Sequence, residues 1–153
     1  MISQGRILLL DSSLLMLPVS GKRVRINLED SLRRVSEGMH LAVLESTIKE
    51  LKWLKNSRKG KKRLAADFAL EFIRRMKIPI IPVDPLIEKK VKNFAKEKKG
   101  WEVSDEILLR MAEKLNAAVA TTDMALKNRL QEVGIPVYYL RGKKWIYVSR
   151  ESV

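Results

Sequence analysis

The stretch Arg6-Ile7-Leu8-Leu9-Leu10-Asp11-Ser12-Ser13 decides how the rest of the chain is read. Consecutive aliphatic residues closed by a carboxylate fit a short strand buried on both faces, because a strand with one wet face would alternate apolar and polar side chains. Such a strand belongs inside a parallel sheet covered by helices. Asp11 then leaves the strand at the carboxyl edge of that sheet, where ligands of open α/β folds gather.

Outward from this strand, the pattern alternates. Leu17 to Gly21 reads as a loop, and Glu29 to Ser36 as a helix capped by Asn27 and closed by Gly38. His40 to Leu44 is a second apolar strand, followed by a helix over Glu45 to Lys55 with Ile48, Leu51 and Leu54 on one face. A second helix, Lys62 to Met76, carries Ala65, Phe68, Ala69, Phe72 and Met76 on its stripe. Ile78 to Val83 reads as a strand that Pro79 and Pro82 confine to an edge or a short pairing. Pro85 to Lys98 is a lysine-rich helix ended by Gly100, and Ser104 caps another helix running to Asn116. Ala118 to Thr121 is a strand, Asp123 to Val133 a helix closed by Gly134, Ile135 to Leu140 a strand, and Lys144 to Val148 a last one. Strand-helix alternation predicts an α/β protein with a mostly parallel sheet and helices on both faces, residues 1–153 forming one domain.

Composition removes most other chemistries. The 153 residues include no cysteine and a single histidine, His40, so thiolate zinc sites, cysteine nucleophiles, Ser-His-Asp triads and multi-histidine metal sites are excluded. No G-x-G-x-x-G follows a strand, and Gly60-Lys61-Lys62 lacks the rest of a Walker loop. Purely apolar runs such as Ile7 to Leu10 and Leu41 to Leu44 fall far short of the roughly 20 residues of a membrane span. A soluble, cytoplasmic chain without a membrane partner is expected. Lys and Arg number 31 against 18 Asp and Glu, a net charge of +13 with histidine neutral, which points to a polyanionic partner.

Candidate chemistry therefore falls to carboxylates. Asp11 and Asp123 each follow a strand at the carboxyl edge, with an Asx turn and a helix N-cap as the respective structural alternatives. Glu50 has Ser46, Thr47, Trp53 and Leu54 as its helical neighbours and no basic residue among them. Glu45, with Lys49, and Glu106, with Arg110, instead have the i,i+4 partner of a solvated surface ion pair. Asp105 lies at a helix start with Leu108 and Leu109 beside it, where it would also suit the helix dipole. Acids brought together repel and raise one another's pKa unless a cation neutralises them. All-oxygen donors select Mg²⁺ or Mn²⁺, ions that serve phosphodiester hydrolysis.

Four elements in order carry a family resemblance: Asp11-Ser12-Ser13 after the first strand, Ile48-Lys49-Glu50-Leu51, Ser104-Asp105-Glu106 with Ala112, and Ala120-Thr121-Thr122-Asp123. The chain resembles the PIN-domain nucleases over nearly its whole length. The resemblance implies a three-layer α/β/α sandwich in which Asp11, Glu50, Asp105 and Asp123 bind Mg²⁺ or Mn²⁺ and activate water to cut single-stranded RNA. It implies supporting roles for Ser13 and Thr121. The tail Gly134-Ile135-Pro136-Val137 into Leu140-Arg141 is similar to the branch that processes ribosomal RNA, while toxins of toxin-antitoxin pairs share the same acids. The implied partners are RNA, a second copy of the chain, and a ribosome-assembly factor or an antitoxin. Lys49 stands where Glu-Glu-Leu is commoner, which keeps Glu45 as an alternative to Glu50.

The basic run Arg58, Lys59, Lys61, Lys62 and Arg63 is expected to bind RNA phosphates from a solvated loop or helix start, and the Lys89 to Lys99 segment adds charge. Trp53 and Trp101 are read as core residues in preference to base-stacking ones, and His40 as structural.

Overall fold

The computed structural model describes residues 5–20, 26–97 and 103–148. Its sheet is centred on β1 (Arg6–Leu10). One side of β1 carries β2 (Met39–Leu44) and the two-residue β3 (Ile80–Ile81), and the other carries β4 (Ala118–Thr121), β5 (Val137–Arg141) and β6 (Lys144–Val148). All pairings are parallel except β5 with β6, which turn back on each other. Leu9 lies opposite Ala42 on one side and Val119 on the other.

Alternation along these strands divides the core in two. Leu8, Leu10, Val43, Ala118 and Ala120 face one layer, built from α1 (Ser12–Ser20), α2 (Leu28–Val35), α3 (Glu45–Ser57) and α4 (Gly60–Arg75). Leu9, Ala42, Leu44, Val119 and Val137 face the opposite layer of α5 (Pro85–Glu97), α6 (Val103–Leu115) and α7 (Met124–Glu132). The architecture is the expected three-layer α/β/α sandwich. Leu8, Leu9 and Leu10 are fully buried, as an apolar run covered on both faces requires.

The connections from β1 and β4 leave on opposite sides of the gap between those two strands. β1 leads out to β2 and β3, whereas β4 leads to β5 and β6. This reversal is the topological switch point at which such sheets open a crevice.

Several expectations need correction. The predicted loop from Leu17 onward is helix as far as Ser20, with Pro18 inside the last turns of α1; Gly21 lies outside the described residues. A proline in a helix interior costs about 3 kcal/mol or more. Complete burial of Leu14 and Leu15 contributes about 1.5–3 kcal/mol each and offsets it. β3 is shorter than Ile78 to Val83: it is the edge strand and pairs with β2 only at Ile80 and Ile81, the Pro79 carbonyl accepting the Val43 N–H at 3.0 Å as part of that short ladder. Ser104 lies within α6 and does not precede it. Glu106 is not a solvated partner of Arg110. It is 2 % exposed, accepts from Arg110 Nε at 2.8 Å, and has Arg129 Nη2 of α7 3.9 Å away. Asn27 does cap α2, its Oδ1 accepting from Asp30 N at 3.1 Å.

Candidate active-site cleft

The switch point places two carboxylates side by side. Asp11 follows β1 directly, its own N–H donating to the Ala120 carbonyl at 3.0 Å, so its backbone continues the pairing with β4. Asp123 lies two residues beyond β4 and caps α7, Oδ1 accepting from Leu126 N at 3.1 Å. The helix-cap alternative for Asp123 is therefore realised, and it leaves the residue on the cleft.

Asp11 is 5 % exposed, and its Oδ2 takes two hydroxyl hydrogen bonds, from Ser13 Oγ at 2.5 Å and Thr121 Oγ1 at 2.7 Å. Each hydroxyl in turn accepts a backbone N–H from the segment after β4: Asp123 N to Thr121 Oγ1 at 3.0 Å, and Thr122 N to Ser13 Oγ at 3.3 Å. Two short relays thus bind the β4 exit to one oxygen of Asp11. Burial pushes the Asp11 carboxyl above the ordinary aspartate range. The bonds from Ser13 and Thr121 pull it back, Asp123 pushes it up again, and the net direction is upward. A cation is the natural remedy for a buried carboxylate in that condition.

These residues form the floor of a cleft of about 460 Å³ that is also lined by Glu50, Ser104, Asp105, Trp53, Arg58 and Lys62. Glu50 comes from α3, whose Thr47, Leu51 and Leu54 are buried against the sheet. Asp105 comes from the first turn of α6. All four acids singled out in the sequence therefore line one cleft, together with Ser13. Thr121, fully buried beneath it, reaches the cleft through Asp11. Glu45 is exposed at the start of α3, 4.0 Å from Lys49, and stands outside the lining. A larger hollow of about 810 Å³ lies near α2, lined by Asn27, Asp30, Arg33, Arg34 and Lys143. It takes Lys143 from the β5–β6 turn but no residue that follows β1 or β4, so the switch point between those two strands assigns the chemistry to the smaller cleft.

Among the described residues no group of three acids or histidines is drawn together tightly enough to hold a metal unaided. That spacing still fits a hard dication. Mg²⁺ is usually bound through one or two carboxylates, with water and substrate phosphate oxygens completing the shell, and every ligand offered in this cleft is oxygen.

The basic run divides by position. Arg58 ends α3 and Lys62 lies in the first turn of α4, and these two line the cleft. Lys59, Lys61 and Arg63 are exposed and outside the lining. Trp53 is not core but 56 % exposed on the cleft wall. Trp101, Lys98, Lys99 and Gly100 lie outside the described residues, and His40 is exposed on β2. Sequence reasoning did not find Met16 or the cleft position of Trp53, and it did not separate Arg58 and Lys62 from the rest of the basic run.

Residues 8–143 match the family described as a PIN like domain. The chain belongs to the PIN-domain family. Among curated relatives, Ribonuclease VapC4 of Methanocaldococcus jannaschii is 33% identical over 128 residues, covering 81% of this chain and 84% of that protein. Among solved structures, the PIN domain endonuclease Utp24 superposes with a TM-score of 0.62 at 17% identity, over 92% of this chain and 90% of that one. VapC20 of Mycobacterium tuberculosis, a Sarcin-Ricin loop cleaving toxin, gives 0.53 at 12% identity, over 80% and 94%. At such identities the two structures establish the fold alone. Among the described residues no helix is long and apolar enough to cross a membrane.

Proposed function

We propose that this PIN-domain protein is an endoribonuclease that hydrolyses single-stranded RNA with Mg²⁺ or Mn²⁺ held by Asp11, Glu50, Asp105 and Asp123. The observation that carries the reading is the convergence of these acids on one cleft at the switch point, beneath two cations. The bound dication would lower the pKa of water and stabilise charge on the scissile phosphate. The chain's own residues do the rest. Arg58 and Lys62 draw the phosphate backbone to the rim, and the Ser13 and Thr121 hydroxyls hold Asp11 Oδ2 in a fixed place. The full burial of Thr121 keeps water from that support.

The VapC type of ribonuclease, acting as a toxin restrained by an antitoxin protein, is the branch we favour. A relative at 33% identity over most of both chains supports it. Ribosomal RNA processing is the second reading, favoured by the Gly134-Ile135-Pro136-Val137 tail.

The test is cleavage of unstructured RNA with and without Mn²⁺, beside Asp11→Asn. Metal-dependent cleavage lost in the variant is expected; cleavage that survives in the variant removes Asp11 and the proposed mechanism. Growth arrest on expression, relieved by the product of a neighbouring reading frame, would support the toxin branch, and unimpaired growth with active enzyme would favour RNA processing.

A further inference from the structure

The cleft wall opposite the strand exits is built from a tryptophan and two cations. α3 presents Glu50 and, one turn on, Trp53 to the same cleft, because residues three apart share a helix face. A tryptophan 56 % exposed on a helix whose buried positions are Thr47, Leu51 and Leu54 contributes little to the core. The backbone beneath it is fixed, since the Ser57 hydroxyl donates to the Trp53 carbonyl at 2.6 Å and ends the helix. Arg58 then folds back, its guanidinium carbon 5.0 Å from the Trp53 ring centre. Lys62 follows from the first turn of α4 on the same wall. Among the described residues neither Arg58 nor Lys62 is drawn into an ion pair.

We propose that Trp53 is a stacking platform for an unpaired nucleobase of the RNA substrate, with Arg58 and Lys62 taking the phosphates on either side of it. The inference rests on the proposed ribonuclease reading and names the part of the substrate that the cleft grips. A flat indole offers a face to any base, and stacking on it is sequence-tolerant. The guanidinium now over the ring is held by an exposed cation–π contact, a weaker interaction than a stacked base. Substrate can therefore displace it, and the freed guanidinium lies where the neighbouring phosphate must pass. Glu50, one turn back on α3, then faces the next linkage of the strand. A base held in a duplex has no free face, so the platform selects unpaired RNA by geometry.

The test uses the full chain carrying Asp11→Asn, so that binding is read without cleavage. The probes are a labelled oligouridylate and a strand of the same length with abasic sugars. Adding Trp53→Ala should weaken oligouridylate binding by about 5- to 150-fold, the range of one lost stack, and leave the salt dependence unchanged. Trp53→Phe should restore most of the affinity. On the abasic strand Trp53→Ala should have no effect. Arg58→Gln should instead flatten the log–log salt slope by about 0.7 on a single strand. Unchanged oligouridylate affinity in Trp53→Ala, or an equal loss on the abasic strand, would overturn the platform. Cleavage by the otherwise unaltered chain is scored apart. Stacking without any cleavage removes the nuclease reading alone, and cleavage without Trp53 dependence removes the platform alone.

Discussion

Replacing Thr121 by valine changes almost nothing in volume and removes one oxygen, which makes it a clean probe of how Asp11 is held. Thr121 Oγ1 donates to Asp11 Oδ2 at 2.7 Å and accepts the Asp123 N–H at 3.0 Å, and the residue is fully buried. A hydrogen bond to an ionised acceptor contributes about 1.5–3 kcal/mol, against about 0.5–1.5 to a neutral one. The orphaned Asp123 N–H adds at least ~1 kcal/mol, the lower end because the site is only partly buried. Near neutral pH, in chelator, Thr121→Val should cost about 3 kcal/mol and lower the thermal midpoint by roughly 6–12 °C for a chain of this size.

The cost depends on pH with a definite sign. The Asp11 carboxyl is already raised above its ordinary value of 3.8, so its contribution to stability is fully present below that value and is lost as pH rises through its folded pKa. Thr121 opposes the rise by favouring the ionised form. Removing it pushes the folded pKa higher still, so the penalty must grow with pH across that window, from about 2 kcal/mol in acid to about 3 at neutrality. Denaturant unfolding of parent and variant at the two ends would measure this. A penalty independent of pH would refute the argument that the hydroxyl acts on the charge of Asp11, leaving it a packing residue.

Other variants test other links. Asp11→Asn should abolish cleavage yet preserve or raise the metal-free midpoint, because it deletes a buried carboxylate that Asp123 repels; Mn²⁺ at a hundredfold excess over its Kd stabilises by about 2.7 kcal/mol, and the variant should lose most of that shift in thermal unfolding. Gln at both Arg58 and Lys62 should flatten the salt slope for single-stranded RNA by about 1.4, whereas Gln at Lys59, Lys61 and Arg63 should change it less; equal effects would show that the cleft has no privileged cations. Glu106→Gln should destabilise by about 1–3 kcal/mol, measured by urea unfolding, since the buried carboxylate joins α6 to α7 through Arg110 and Arg129; an unchanged midpoint would return it to the status of a surface pair.

What the sequence made legible follows from how local each signal is. The β1 run and Asp11 could be read because burial on both faces leaves an uninterrupted aliphatic word, and the residue after such a strand has one place to go. Asp123 was legible for the same reason at β4. The end of α1 was not, because Pro18 is a local helix breaker and the partners that bury Leu14 and Leu15 are distant in sequence. Glu106 was misread because the i,i+4 rule sees Arg110 but not Arg129 of the next helix, which closes over it. Trp53 was misplaced by proximity to an apolar stripe. Leu51 and Leu54 point inward from neighbouring positions, and one step of about 100° per residue separates a core side chain from one on the wall of a cleft.

The charge pattern of the folded chain contains an apparent contradiction. A net charge of +13 draws a polyanion in, but the floor that receives it is carboxylate, and the most deeply placed of these acids is already pushed toward its neutral form. Two unlike zones resolve it. Arg58 and Lys62 stand on the rim, where a phosphate can be held without entering the floor, and the acids converge behind them. A phosphate advancing from rim to floor meets rising repulsion unless a dication is present there, and with one present the same acids turn from obstacle to support. A basic surface alone would bind nucleic acid along the whole protein. Setting acids beneath cations makes the favourable path for a phosphodiester a narrow one that ends at Asp11, which is the property a hydrolytic site requires and a passive binding surface does not.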